Sequence, residues 1–210
     1  MQILTTLAEN GMPCLMFPTE VGAEPLIDKI ISRRTGISLK KFQNGTFTEQ
    51  DKKLIESTKD YISSLPLVVV EDFGIGVDKL IADIDKYAPR VVCLDYFQAL
   101  KWNNPESVGE KESAVHKIKK ITKDRNLITL VMSQLKRGDG TGKASLSELK
   151  GTGALEELGD VVGQMYRVEE LGAYPVKVDL TITKSKYSDT GNIPLKFWSS
   201  TCDFKEETIS

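Results

Sequence analysis

Cysteines and long apolar runs are scarce in this chain, and each shortage argues against a class of protein. The three cysteines, Cys14, Cys93 and Cys202, are an odd number without close spacing, which argues against a disulfide framework and against a zinc site. No apolar run approaches the roughly 18 residues that a membrane-spanning helix needs. The first residues lack the basic start of a secretory signal. These absences indicate a soluble protein of a reducing cytoplasm.

An excess of one charge is lacking as well. Lysine and arginine number 28, aspartate and glutamate number 30, and the net charge is −2. Nucleic acid, if it is bound, must therefore be contacted by local clusters of lysine and arginine. The 210 residues, of which 40% are apolar and 28% charged, suffice for one sizeable α/β domain or two small ones.

The chain does contain an alternation of helical patterns with short apolar runs. The runs have the length of strands buried on both faces of a parallel sheet, and they lie at 14–17, 67–70, 91–94 and 127–132. Amphipathic patterns predict helices at 2–10, from Pro25, from Thr48 through Ile62, from Val77, at 111–124 and within 149–158. A strand at 161–167 follows, and strict alternation at 176–183 and 193–197 predicts an antiparallel hairpin. We predict one α/β domain with a mostly parallel sheet, flanked by helices and closed by this C-terminal hairpin.

Three of the apolar strands end in polar side chains that suit phosphate chemistry, namely Glu20, Asp95 and the pair Ser133-Gln134. The carboxyl ends of parallel strands lie along one edge of the sheet, where α/β proteins bind ligands. There, one carboxylate can hold Mg²⁺, a second can polarise an attacking water, and an amide can sense a γ-phosphate. The competing interpretation is three unrelated turn residues, because Asp favours turns.

A phosphate-binding loop is missing from the 210 residues. The nearest candidate for G-x-x-x-x-G-K-S/T is 137–144, where Arg137 replaces the first glycine and Ala144 replaces the final Ser or Thr. We predict that residues 137–144 form a mobile loop instead. Residues 74–76 begin like a dinucleotide-binding fingerprint but lack its third glycine, which favours a simple turn.

Five segments, in order along the chain, resemble the motifs of DnaB-type replicative helicases. Leu94-Asp95-Tyr96-Phe97-Gln98 is similar to the D-Y-L/F-Q Walker B motif of that family. The other four are 17–20 (family F-S-L-E), 133–137 (S-Q-L-S-R), 147–154 (S-D-L-R-E-S-G-A) and 184–191 (K-x-R-x-G-x-x-G). Each motif is weak alone, but the five together span nearly the whole chain. By this resemblance the chain is identified as a member of the family, over its C-terminal ATPase domain.

The resemblance implies a RecA-like P-loop NTPase core, with residues 1–210 as a single domain. In the family the Walker A loop falls just before the first helix, so its lysine is expected a short way upstream of Met1. The strand before that loop and the N-terminal collar domain of the family are likewise expected to be absent here. The 210 residues alone are therefore expected to hydrolyse ATP poorly or not at all, as a fragment or as a product that has lost the loop.

Position by position, the resemblance implies a nucleotide site for ATP and Mg²⁺. Glu20 would activate the attacking water, Asp95 would hold Mg²⁺, and Gln134 would sense the γ-phosphate and relay to DNA. Gln98 and Arg167 would belong to the nucleotide-binding residues, with Arg167 near the adenine.

The resemblance also implies two groups of cations outside that site. Lys184 and Lys186 would reach the γ-phosphate of a neighbouring subunit. The family has arginine at the second position, and because lysine cannot make the planar two-pronged contact, hydrolysis in trans is expected to be weak. Arg137, Lys143 and Lys150 would approach the backbone of single-stranded DNA, although a solvated loop explains any single one of the lysines nearly as well.

The implied function is an ATP-driven DNA helicase motor in a hexameric ring that moves along single-stranded DNA. Primase and a helicase loader are further candidate partners. The alternative is a non-enzymatic RecA-like remnant that serves as a binding or loader-interaction module, which the absence of an in-frame phosphate loop upstream of Met1 would favour. A RecA-type or circadian-clock-type relative is a third alternative, and residues 95–98 and 149–154 argue against it.

Overall fold

Helices and short strands alternate along the first part of the chain, and strands dominate the last part. The computed structural model describes residues 1–134, 153–168 and 173–207. The helices are α1 (Gln2–Glu9), α2 (Ala23–Thr35), α3 (Leu39–Asn44), α4 (Glu49–Ser57), α5 (Lys59–Ser64), α6 (Val77–Tyr87), α7 (Val108–Asp124) and α8 (Gly153–Leu158). The strands are β1 (Cys14–Pro18), β2 (Leu67–Val69), β3 (Val91–Asp95), β4 (Ile128–Val131), β5 (Val161–Arg167), β6 (Val176–Ser185), β7 (Gly191–Trp198) and β8 (Asp203–Glu206).

A four-stranded parallel sheet with the order β2-β1-β3-β4 forms the first layer of the fold. All of β1 and the first four residues of β3 are buried, because helices cover both faces of the sheet. Successive side chains of a strand point to opposite faces, so Leu15 and Phe17 pack in a cluster with Leu80 of α6. Met16 packs on the other face with Leu4 of α1 and Leu26 of α2. This two-sided burial is the reason why the strands are continuous apolar runs in the sequence.

The helices of residues 48–64 confirm one sequence prediction and correct another. Thr48 and Asp51 form the predicted capping box at the start of α4. The single helix predicted from Thr48 through Ile62 is wrong, because the chain forms α4 and α5 with a break at Thr58. The hydroxyl of Thr58 donates to the carbonyl of Ile55, a local bond that competes with helix continuation.

Two further helices differ from the sequence prediction. α7 begins at Val108 instead of Lys111, because the Ser107 side chain accepts a hydrogen bond from the N–H of Glu110 and caps the helix. α3 was not predicted, because its six residues are too few to show a helical period. Of the helix predicted within 149–158, the described part is α8.

The last four strands form a second, antiparallel sheet with the order β5-β6-β7-β8. Its central hairpin, β6 with β7, confirms the hairpin predicted from alternation, and β5 has the predicted bounds. The prediction that this hairpin closes the parallel sheet is wrong. Among the described residues, no strand of one sheet pairs with a strand of the other.

Specific contacts attach the antiparallel sheet to the α/β layer. The Gln2 side chain at the start of α1 both donates to and accepts from the backbone of Phe204, at 2.8 and 2.9 Å. The N–H of Leu39 donates to the carbonyl of Ser200 at 2.7 Å. Among the described helices, none is long and apolar enough to cross a membrane.

Candidate nucleotide site

The carboxyl edge of the parallel sheet brings together the three strand-end side chains that the sequence singled out. Pro18 pairs with Asp95, and Leu94 pairs with Val131, so β1, β3 and β4 end side by side. The side chains of Glu20, Asp95 and Gln134, at or just after these ends, are all exposed to solvent. Their predicted placement along one edge is confirmed, and their chemical roles stay predictions.

Thr19 connects the ends of β1 and β3. Its backbone N–H donates to the carbonyl of Asp95 at 2.8 Å, and its hydroxyl donates to the same carbonyl at 2.9 Å. The hydroxyl also accepts from the N–H of Tyr96 at 2.8 Å. The Asp95–Tyr96 peptide bond is cis. Sequence reasoning did not assign Thr19 a role, although its place beside Glu20, where the family motif has leucine, was a signal.

Gln98 connects the end of β3 to the end of β4. Its side-chain amide donates to the hydroxyl of Ser133 at 2.7 Å, and its carbonyl oxygen accepts from the N–H of Gln134 at 3.2 Å. The nearby N–H of Phe97 donates to the carbonyl of Met132 at 2.9 Å. The described contacts of Gln98 thus fix the backbone on which Gln134 sits, in addition to any contact with a nucleotide.

Glu71, after β2, is a third carboxylate at this edge that sequence reasoning passed over. It accepts a hydrogen bond from the N–H of Ala23 in the first turn of α2, where unpaired N–H groups favour a negative charge. A side chain at Gly22 would place its Cβ 2.9 Å from the Glu71 carboxylate, so only glycine fits there without a shift. The contact ties the segment after Glu20 to β2.

The oxygen donors at the edge fit a nucleotide-bound Mg²⁺. Mg²⁺ prefers oxygen ligands and commonly uses one or two carboxylates together with waters and substrate phosphates. Asp95 is an exposed carboxylate of this kind, with Glu20 after the neighbouring strand. Among the described residues, no group of three or more His, Cys, Asp or Glu could hold a metal without a substrate. The donor set therefore suits a metal that arrives with its nucleotide.

Arg167 lies at the end of β5 beside an open groove of about 650 Å³ on the antiparallel sheet. The groove is mostly apolar and aromatic, and its walls include Met165, Tyr174, Phe197 and Phe204. The rings of Phe197 and Phe204 stack with their centroids 4.3 Å apart. Because the backbone of Phe204 is bound to Gln2, the groove lies next to the N-terminal end of α1. A flat, partly apolar group such as a nucleobase matches such walls.

Lys184 and Lys186, the predicted trans-acting cations, both have partners within the chain. Lys184 donates to the carbonyls of Glu156 and Glu157 in the last turn of α8, at 2.7 and 2.8 Å. Lys186 donates to the carboxylate of Asp160 at 2.8 Å. A contact with a neighbouring subunit would therefore have to compete with these internal hydrogen bonds.

Asp160 is shared by two ammonium groups, because Lys119 of α7 also donates to its carboxylate. Hydrogen bonds from Lys119 and Lys186 lower the pKa of Asp160 to about 2. The hydrogen bond with Asp160 raises the pKa of Lys186 in turn. These three residues, which we call the Asp160 cluster, connect α7 to the start of β5 and the end of β6. The predicted DNA-binding residues Arg137, Lys143 and Lys150 lie outside the described residues.

Comparison with known proteins assigns the fold to a family. The model of the DnaB-like helicase C-terminal domain matches residues 1–206. The chain belongs to this family. The resemblance found in the five sequence motifs is thereby confirmed.

Individual relatives are distant in sequence and close in fold. The chain is 23% identical over 203 residues to a probable replicative DNA helicase of Trieres chinensis, covering 89% of this chain and 45% of that protein. It is 21% identical over 198 residues to the replicative DNA helicase DnaC of Bacillus subtilis, covering 87% and 43%. The chain thus spans less than half the length of these relatives.

Solved structures confirm the predicted RecA-like fold of a helicase ATPase domain. One of them, a structure of an ATPase domain, superposes with a TM-score of 0.86 at 19% identity, over 96% of this chain and 76% of that one. A DnaB-like replicative helicase, whose structure was described with its interactions with primase, gives the same TM-score and identity, over 96% and 52%.

Proposed function

We propose that the chain is the motor domain of an ATP-driven replicative DNA helicase. It would couple ATP hydrolysis at subunit interfaces to movement on single-stranded DNA. The observation that carries the proposal is the alignment of Glu20, Asp95 and Gln134 on one sheet edge, in a chain of the DnaB-like family. A hexameric ring, primase and a helicase loader are the partners that fit such a motor, and the cytoplasm is its expected compartment.

The three edge residues divide the chemistry of hydrolysis among them. Glu20, exposed after β1, accepts hydrogen bonds from a water and orients it for attack on the γ-phosphate. Asp95, at the end of β3, would hold Mg²⁺, which offsets the negative charge of the phosphates, and Gln98 would join it on the nucleotide from the turn that follows β3. Gln134 contacts the γ-phosphate through an uncharged amide, and its backbone is held by Gln98.

The other residues that we assign to the motor are cations. Arg167 and the groove beside it would receive the adenine, since an arginine and aromatic rings offer flat surfaces for stacking. Lys184 and Lys186 would act on the nucleotide of a neighbouring subunit after they leave their internal partners. Arg137, Lys143 and Lys150 would contact the DNA backbone, which predicts binding that weakens with salt and ignores base sequence.

The 210 residues, purified as they are, should hydrolyse ATP poorly or not at all, because they contain no G-x-x-x-x-G-K-S/T sequence. The experiment compares this chain with a version in which a strand and such a loop are fused before Met1. We expect Mg²⁺-dependent ATP hydrolysis only in the fused version. Glu20→Gln should reduce its kcat by about 10²–10⁴, because the variant loses the group that orients water.

A matched control is Glu24→Gln, which neutralises another exposed glutamate, within α2. It should hydrolyse ATP like the parent protein. Hydrolysis by the unfused chain that disappears in Glu20→Gln would contradict the expected deficiency. A fused version without ATP hydrolysis would instead favour the second candidate, a RecA-like remnant that acts as a binding or loader-interaction module, to which the missing phosphate loop also points.

A further inference from the structure

The Thr19 side chain links the strand end that precedes Glu20 to the backbone of Asp95 and Tyr96. We propose that Thr19 is a positioning residue, which holds the strand end that carries Glu20 against the strand end that carries Asp95. The proposal rests on the proposed function, because it concerns the alignment of those two groups for hydrolysis. Thr19 itself touches neither nucleotide nor metal in this proposal.

Both the backbone N–H and the hydroxyl of Thr19 form hydrogen bonds with the segment in which β3 ends. One carbonyl, that of Asp95, accepts from both the backbone N–H and the hydroxyl of Thr19, at 2.8 and 2.9 Å. The same hydroxyl accepts from the N–H of Tyr96 at 2.8 Å and lies 3.3 Å from the carbonyl of Tyr96. These bonds, which we call the Thr19 clasp, hold the Asp95–Tyr96 peptide at the point where β3 ends. The backbone of Glu20 follows directly, so the clasp sets the spacing of the two carboxylates.

Burial makes this clasp stronger than a similar contact in solvent. Thr19 is only 7% exposed. The bond from the Tyr96 N–H to this hydroxyl is partly buried, and an N–H shielded from water that loses its acceptor costs free energy, so the peptide of Tyr96 depends on the hydroxyl. Removing the hydroxyl without changing the shape of the side chain should therefore loosen the Asp95–Tyr96 segment rather than unfold the sheet, whose β1–β3 ladder of backbone bonds remains.

The clasp is a property of this chain and not of the family motif. Residues 17–20 are F-P-T-E, whereas the family pattern is F-S-L-E, so the position of Thr19 is occupied there by leucine. A leucine side chain can neither donate to the Asp95 carbonyl nor accept from the Tyr96 N–H. This chain thus has a polar link at a position where the family motif has no hydrogen-bonding side chain.

The first arm of the test measures the strength of these hydrogen bonds directly, in the 210-residue chain. Thr19→Val removes the hydroxyl and keeps the branched shape, and Thr19→Ser keeps the hydroxyl. The amide hydrogen exchange of Tyr96, followed by NMR, should accelerate about tenfold or more in Thr19→Val and stay near the parent rate in Thr19→Ser. Circular dichroism checks that each variant is folded at the temperature of measurement.

Thr122→Val is the matched control. The Thr122 hydroxyl also links two elements, because it binds the carbonyl of Ile118 and the hydroxyl of Thr129 near the start of β4, both at 2.7 Å. Its loss should leave the Tyr96 exchange rate unchanged. Unchanged Tyr96 exchange in Thr19→Val would overturn the clasp.

The second arm measures ATP hydrolysis in the fused version, which carries the added strand and phosphate-binding loop before Met1. Thr19→Val should lower kcat by about 10–100-fold, the effect expected of a misplacement of catalytic groups by about 1 Å. KM for ATP should change by less than about threefold, because the clasp aligns reacting groups rather than binding the nucleotide. Thr19→Ser should restore most of kcat, and Thr122→Val should resemble the parent.

The two proposals fail in different ways. If Glu20→Gln abolishes hydrolysis while Thr19→Val has the kcat of Thr122→Val, the positioning role of Thr19 is overturned and the proposed function stands. If Glu20→Gln leaves hydrolysis unchanged, the proposed function is overturned, and so is the role of Thr19 within it, whatever the exchange of Tyr96 shows. Loss of kcat in both Glu20→Gln and Thr19→Val, with rescue by Thr19→Ser, supports both.

Discussion

The parallel and the antiparallel sheets present their polar side chains in opposite ways. In the parallel sheet, β1 is buried along its whole length, and charged side chains come only at or after the strand ends. In the antiparallel sheet, most residues of β6 and β7 are only partly buried, and charged side chains such as Lys177, Asp179 and Lys196 lie within the strands. One sheet therefore exposes charged side chains at an edge, and the other exposes them along its surface.

This difference determines how each region holds its candidate functional groups. At the parallel edge, Thr19 and Gln98 bind backbone atoms of the neighbouring strands, so the positions of Glu20 and Gln134 follow from the backbone. In the antiparallel sheet, Lys186 is held by a side-chain ion pair that can exchange for another anion. The backbone bonds at the edge favour fixed positions, whereas the ion pair of Lys186 involves two side chains that can take other partners.

The largest expected difference between the two sheets is in core packing. Leu15→Ala in β1 should lower the free energy of unfolding by about 2–5 kcal/mol, because Leu15 has no exposed surface and its removal leaves a cavity. Leu195→Ala in β7 makes the same change at a partly buried site and should lower it by about 1 kcal/mol or less. Urea unfolding of the 210-residue chain, followed by circular dichroism, measures both.

Equal losses in the two variants would show that the antiparallel sheet is as tightly packed as the parallel one. Two separate unfolding transitions would sharpen the comparison in another way, because they would show that the two sheets unfold independently. In that case Leu195→Ala should shift only one transition.

Much of this fold could be predicted because its signals are local. The apolar runs of β1 and β3, the capping box of Thr48 and the alternation of β6 and β7 each lie within a short window of sequence. The resemblance to the family supplied the predicted roles of Glu20, Asp95 and Gln134, which strand-end chemistry alone had left open and which stay predictions.

The parts that sequence reasoning missed depend on contacts between distant residues. The clasp of Thr19 on Asp95 joins positions 76 apart, and the ion pair of Lys186 with Asp160 joins positions 26 apart. No periodicity records such pairs. The separation into two sheets was missed for the same reason, because an alternating strand shows that one of its faces is exposed but not which strands it joins.

A smaller effect is expected from the link between β3 and β4. Gln98→Leu removes both hydrogen bonds to the end of β4 and should lower the free energy of unfolding by about 1–2 kcal/mol. The amide exchange of Gln134 should accelerate, since its described acceptor is the side chain of Gln98. Gln98→Glu keeps an oxygen acceptor for that N–H and should preserve its protection. Slow exchange of Gln134 in Gln98→Leu would instead show that the end of β4 is protected without the side chain of Gln98.

The smallest expected effect concerns the Asp160 cluster. Asp160→Asn should lower the free energy of unfolding at neutral pH by about 0.5–1 kcal/mol, because the carboxylate is partly exposed and screened by solvent. Folding lowers the pKa of Asp160 from its ordinary 3.8 to about 2. The cluster's contribution is therefore complete above the ordinary pKa and disappears as pH falls through about 2. Urea unfolding of parent and variant from neutral to acidic pH should show two curves that converge towards the acid end.

Asp124→Asn is the control, since Asp124 pairs with Lys120 on the same helix, α7, and both side chains are more exposed than those of Asp160 and Lys119. Its effect should stay below about 0.5 kcal/mol. The ¹³C carboxyl resonance of Asp160 gives its pKa independently of unfolding, and titration near the ordinary value would mean that the lysines do not hold it. Lys186 would then lack the ion pair on which the contrast between the two sheets rests, because Lys184 donates to backbone carbonyls.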